Sequence, residues 1–200
     1  MIREDLIRCY QEPLEYSLNN KNGNRSTART NILNANVINL IAKAVGRLME
    51  VEPEVEINCA RGESFTIDLV YPKEKVLVLL KSVESSYNKN RHNYTNGMLG
   101  EAQRVYGKGN NGMYDDYNLL FVNFLPRVLP VKDKSGFILR YEKVKCCDIE
   151  EDLQLINPNI HVLNILLDVD WQNDEVDIPN KDCGDIINKI VDIFQEKHED

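Results

Sequence analysis

The chain opens on helical spacing. Ile2, Leu6, Tyr10 and Leu14 recur every four residues and predict a helix over residues 2–18, with Pro13 straining its later part. Residues 19–25 are a loop by composition. Ser26 or Thr27 then caps a longer helix predicted to reach about Met49, with Leu33, Val37, Leu40, Ile41, Ala44, Val45 and Leu48 on its apolar face. Beyond it the period shortens to two. Residues 55–59 and 65–71 read as strands around a turn at 61–64, and 76–81 as a third strand after a tight turn at 72–75. That third strand is apolar almost throughout, as expected of a central strand covered on both faces. A polar loop over 82–90 leads to a helix from about Arg91 to Tyr106, ended by Gly107. After a loop over 108–116, Tyr117 to Leu125 form a strand stopped by Pro126. Residues 127–146 read as an irregular insertion with a short hairpin, 147–156 as a short helix and 161–167 as a buried strand. An amphipathic helix over 183–197 follows. The order predicts an α/β fold, a mixed central sheet flanked by helices.

Length and charge refine this picture. Two hundred residues suit one domain, divided into an N-terminal helix and loop (1–25), a core (26–125) and a C-terminal part that completes the fold (126–200). The net charge of −8 argues at face value against nucleic acid. Its distribution reverses that. Residues 148–200 hold 15 acids and 3 bases, whereas residues 1–147 carry a net +4, and the span 73–108 alone is +4. No apolar run approaches the roughly 18 residues that span a bilayer. Five cysteines, none in C-x-x-C spacing, speak against a zinc ribbon or a disulfide framework, so a reduced cytoplasm is the expected compartment.

The segment FTIDLVYPKEKVLVLLKS concentrates the candidate chemistry. Asp68 lies on one strand and Lys81 on the next, with a tight turn between. An acid and a lysine converging on such a hairpin suit metal-assisted hydrolysis of a phosphodiester. The carboxylate offers oxygen to Mg²⁺, and the ammonium orients water and offsets charge on the phosphate.

The αβββαβ order, with Asp68, ten intervening residues and then Leu79-Leu80-Lys81, resembles the PD-(D/E)XK nuclease superfamily, type II restriction endonucleases in particular. The resemblance covers roughly residues 26–125. It implies a restriction-endonuclease-like fold and Mg²⁺-dependent cleavage of double-stranded DNA by a homodimer. One departure stands out. The family places an acid two residues before the lysine, where this chain has Leu79. In some relatives that acid sits on the following helix, which makes Glu101 the candidate here and Glu84 a weaker one. Glu56, or Glu54, is the candidate third ligand. Gly97 and Gly100 precede Glu101, and helix-interior glycines imply close packing, against the sheet or against a sugar-phosphate backbone.

The stretch 85–94 supplies the candidate DNA contacts: Ser86, Lys89 and Arg91 for phosphates, and Asn88, Asn90 and Asn93 for base edges. Arg104 on the helix, and Arg25 and Arg29 near a helix start, are further phosphate candidates. His92 lacks a second histidine at metal-ligand spacing. Cys146 and Cys147 read as structural, Asp168 and Asp170 as strand-end acids, and Trp171 as a packing residue. The expectation is a Mg²⁺-dependent endonuclease with Asp68, Lys81 and Glu101 as catalytic residues and no membrane partner. A non-catalytic DNA-binding relative and an acidic protein-interaction domain are the alternatives.

Overall fold

The computed structural model describes residues 2–20, 26–59, 63–84, 87–107, 111–133, 135, 137–146 and 148–195. Helix α1 (Ile2–Asn19) runs through Pro13 and buries Leu6, Cys9, Tyr10 and Leu14. Helix α2 (Thr27–Val45) begins where the side chain of Ser26 accepts the Arg29 N–H at 3.2 Å. It stops short of the predicted Met49. Gly46 adopts φ 78°, and its N–H returns to the Ala42 carbonyl, so the chain turns out of the helix there. The apolar Leu48 beyond is left exposed.

Three antiparallel strands follow: β1 (Glu52–Asn58), β2 (Ser64–Tyr71) and β3 (Val76–Ser82). Of the predicted turn at 61–64, residues 61 and 62 lie outside the described residues, and Ser64 already belongs to β2. Helix α3 (Tyr87–Val105) crosses to β4 (Asn118–Pro126), which pairs in parallel with β3. The residues predicted as a loop up to Asn90 are therefore helical from Tyr87 onward. Tertiary packing explains the difference: Tyr87 is buried, with its ring centroid 5.1 Å from that of Tyr94 two turns later. That contact outweighs the poor helix propensity of the asparagines. Next come a two-stranded ribbon, β5 (Val128–Lys132) and β6 (Ile138–Lys143), and a short helix, α4 (Glu150–Gln154). Strand β7 (Ile160–Asp170) lies parallel to β4, with β8 (Glu175–Asp177) antiparallel on its edge. Helix α5 (Asn180–Gln195) ends the described chain.

The six-stranded sheet has the order β1-β2-β3-β4-β7-β8. Residues of the predicted core and of the acidic C-terminal part thus share one mixed sheet. Helices α1, α2 and α5 cover one face, packing against Val76, Val78, Leu120, Val122 and Ile165. Helices α3 and α4 cover the other, against Leu77, Leu79, Leu119, Phe121 and Val162. Strands buried on both faces account for the unbroken apolar runs at 76–80 and 119–122. Among the described residues no helix is long and apolar enough to cross a membrane.

Candidate active site

Strands β2 and β3 separate early. They pair only along Leu69–Tyr71 and Val76–Val78; past that point β2 continues with β1, and β3 with β4. Asp68 stands at the fork. Its Oδ2 accepts the Leu80 N–H at 2.7 Å, taking the place of a ladder partner. The neighbouring Ile67 packs in the cluster under α3, whereas Leu69 packs in the opposite one. Residues two apart on a straight strand share a face, so β2 turns at Asp68.

Lys81 follows on β3, on the face covered by α3. Its Nζ donates to Glu101 Oε1 at 2.7 Å, and both side chains are about one-fifth exposed. Glu101 reaches the strand because Met98, Ala102 and Val105 seat α3 on the sheet. Leu79 is 4% exposed and packs in that same cluster. The position two residues before Lys81 is thus core, and a helix supplies a carboxylate beside the lysine. Gly97 and Gly100 do not serve the fit of α3 to the sheet, since a Cβ at either would meet nothing within 4 Å.

Burial pushes the Asp68 carboxyl up to about 6. The Leu80 N–H and the Lys81 ammonium oppose this, while the Glu101 and Glu54 carboxylates add to it. Asp68 therefore lies within electrostatic reach of both Lys81 and Glu101. Both β1 acids are exposed; Glu54 falls between the pairs Pro53–Leu69 and Val55–Ile67, across from Asp68, whereas Glu56 lies opposite Thr66. Glu54 takes φ 53°, a backbone irregularity that no spacing rule reveals.

The donor set suits a hard cation. Glu101 Oε2 is buried without a hydrogen-bond partner, and Asp68 Oδ1 has none among the described residues. Among those residues no group of three or more His, Cys, Asp or Glu is placed to hold a metal. Two carboxylates nonetheless match Mg²⁺, which keeps several waters and takes its remaining ligands from substrate phosphate.

Two residues not anticipated from sequence extend the cluster. Lys81 is in register with Asn123 on β4, and Asn123 with Asn164 on β7, so the three form one polar rung across parallel strands. Asn123 is 5% exposed and donates to Asn164 Oδ1 at 2.9 Å. The available signal was an asparagine interrupting each of two apolar strands.

The candidate DNA contacts divide. Ser86 and Arg25 lie outside the described residues. Lys89 and Asn93 are exposed on the first turns of α3, and Asn90 and Arg91 are half-buried there. Asn88 is committed to the fold: its Nδ2 donates to the Lys143 carbonyl at 2.9 Å and its Oδ1 accepts the Lys145 N–H at 3.2 Å. Arg29 is enclosed, donating to Glu84 Oε1 at 2.8 Å, and its side chain is 11% exposed. Arg104 lies over the Phe65 ring at 5.6 Å. Asp170 holds a turn through the Gln172 N–H, and Trp171 anchors by donating to the Val128 carbonyl at 2.8 Å. No protein-family model, no curated protein and no solved structure matches this chain.

Proposed function

We propose that the chain is a Mg²⁺-dependent endodeoxyribonuclease of the PD-(D/E)XK type, a restriction endonuclease cutting a short duplex site as a homodimer. The observation that carries this reading is the meeting of Asp68, Lys81 and Glu101 where β2 and β3 part. Asp68 Oδ1 and Glu101 Oε2 would hold the ion. When bound, Mg²⁺ supplies the positive charge that eases ionisation of water and stabilises the leaving 3′ oxygen. Lys81 has three donors, and Glu101 Oε1 takes one. The other two orient the attacking water in line with the phosphorus and offset charge on the phosphate. The Asn123–Asn164 pair keeps the neighbouring rung polar, so the lysine is not buried against hydrocarbon.

A supercoiled plasmid panel tests the proposal. Linear products are expected with wild-type protein and Mg²⁺, and none with EDTA, Asp68→Ala or Lys81→Ala. Cleavage that survives either substitution would remove the site assignment. One second reading has its own support: with Leu79 in the core and Lys81 closed on Glu101, the chain suits a DNA-binding relative that does not cut. A gel shift without cleavage in Mg²⁺ or Mn²⁺ distinguishes it.

A further inference from the structure

The β5–β6 ribbon has no part in the chemistry above, yet residues 127–145 carry six bases and two acids in a chain of net charge −8. Both acids serve the ribbon itself. Asp133 Oδ1 closes its turn by accepting the N–H groups of Ser135 and Phe137, and Glu142 pairs with Arg140 at 2.7 Å. Among the described residues no carboxylate pairs with Lys132 or Lys143, and both are exposed, as is Lys145. Strand β6 shows both of its faces to solvent: Leu139 and Tyr141 on one side are 64% and 45% exposed, Ile138 on the other 39%. Phe137, leading into it, is 73% exposed.

The ribbon is fixed at its base and aimed from the catalytic end of the sheet. Leu129 and Val144 are buried with Val83, Tyr87 and Leu125. Val83 lies two residues beyond Lys81, and Leu125 two beyond Asn123, about 7 Å along each chain. Asn88 ties the start of α3 to Lys143 and Lys145. Beside it is a cleft of about 450 Å³ lined by Asn88, Arg91, Glu142, Lys143 and Lys145.

We infer that the β5–β6 ribbon, with the first turns of α3, is the arm by which this chain grips duplex DNA, entering the major groove beside the Asp68–Lys81–Glu101 cluster. A two-stranded ribbon fits that groove, which is about 12 Å wide. Lys132, Lys143 and Lys145 meet phosphates on its walls, and Leu139 and Tyr141 meet base edges and thymine methyls. The inference takes its partner from the nuclease proposal and adds the element that holds it.

The test uses the full chain and a fluorescein-labelled 30-bp duplex in EDTA, with anisotropy followed against salt and plasmid cleavage in Mg²⁺ measured alongside. Lys132→Gln/Lys143→Gln/Lys145→Gln should bind at least tenfold more weakly. The slope of log affinity against log salt should fall by about two to three. A control, Lys73→Gln/Lys181→Gln, should bind as wild type; equal weakening there would show an effect of net charge alone and overturn the arm. Thermal melts establish that each variant is folded. If the triple variant binds like wild type, the arm is wrong and the nuclease proposal stands. If binding needs the ribbon but plasmid stays uncut, the arm stands and catalysis is refuted. A wild-type protein with no affinity at low salt overturns both. Sedimentation covers the remaining occupant, a second copy of the chain. Should Phe137→Ser/Leu139→Ser convert a dimer to monomer with DNA affinity unchanged, the ribbon is a subunit interface and the arm is refuted.

Discussion

Replacing Asp68 by Asn removes a charge that the fold holds away from water, so the variant is the more stable protein at neutral pH. The amide keeps the packing volume, and its Oδ1 still accepts the Leu80 N–H that the carboxylate now takes at 2.7 Å. The folded chain raises the Asp68 carboxyl from 3.8 to about 6, chiefly by burial. A group whose folded pKa lies above its unfolded value binds its proton more readily in the folded state. The contribution of Asp68 to wild-type stability therefore falls as pH rises from about 4 through 6, and the loss is complete above about 7. At 1.36 kcal/mol per pKa unit, the loss reaches about 3 kcal/mol. For a chain of this size that corresponds to about 6–12 °C in melting temperature. The assay is thermal unfolding by circular dichroism in EDTA, wild type against Asp68→Asn, from pH 4 to 8. The gap should be near zero at pH 4, widen to pH 7 and then stay constant. An Asn variant no more stable than wild type at pH 8, or a gap independent of pH, refutes the burial argument. On the proposed function the same variant cannot cut DNA, so stability and activity move in opposite directions.

Lys81→Met should destabilise by about 1–3 kcal/mol, because it leaves a Glu101 carboxylate with one oxygen already buried and unpartnered. Urea unfolding should show most of that loss restored in Lys81→Met/Glu101→Gln, and a single variant as stable as wild type would contradict the pairing. The glycines should separate by backbone and surroundings. Gly46→Ala, at φ 78°, should cost about 1–2 kcal/mol. Gly97→Ala and Gly100→Ala, with open space at the added methyl, should each gain about 1 kcal/mol. If those two also slow cleavage or weaken duplex binding, the open face of α3 is where the sugar-phosphate backbone passes.

What could be read from sequence follows the range of the forces involved. Helices α1, α2 and α5 and the buried strands announce themselves because amphipathic and apolar spacing is local. The start of α3 did not, since Tyr87 earns its helical place through Tyr94 and the far cluster of Leu125 and Leu129. Strand β8 is three residues, Glu-Val-Asp, too short for any period, and exists because β7 offers it an edge. Asp68 and Lys81 were legible as a spaced pair, and Glu101 as an acid on the next helix. Which β1 acid stands near Asp68 depends on the positive φ at Glu54. Asn123 and Asn164 become a pair only through the register of two strands separated by the ribbon and α4. Arg29 carries a phosphate-binding charge in sequence but lies beside Glu84, a contact across 55 residues.

The fork at Asp68 also sets how the sheet comes apart. Strand β2 meets β3 only along Leu69–Tyr71, while β3, β4 and β7 run together along most of their lengths. The β1–β2 hairpin is consequently a separate opening unit, joined to the parallel core by a narrow seam. The Leu80 amide belongs to the core strand, but its protection comes from a carboxylate on the hairpin. When the hairpin lifts, that amide is released with it, so its hydrogen exchange follows the loosening of β1–β2 rather than the global unfolding that frees the β3 amides facing β4.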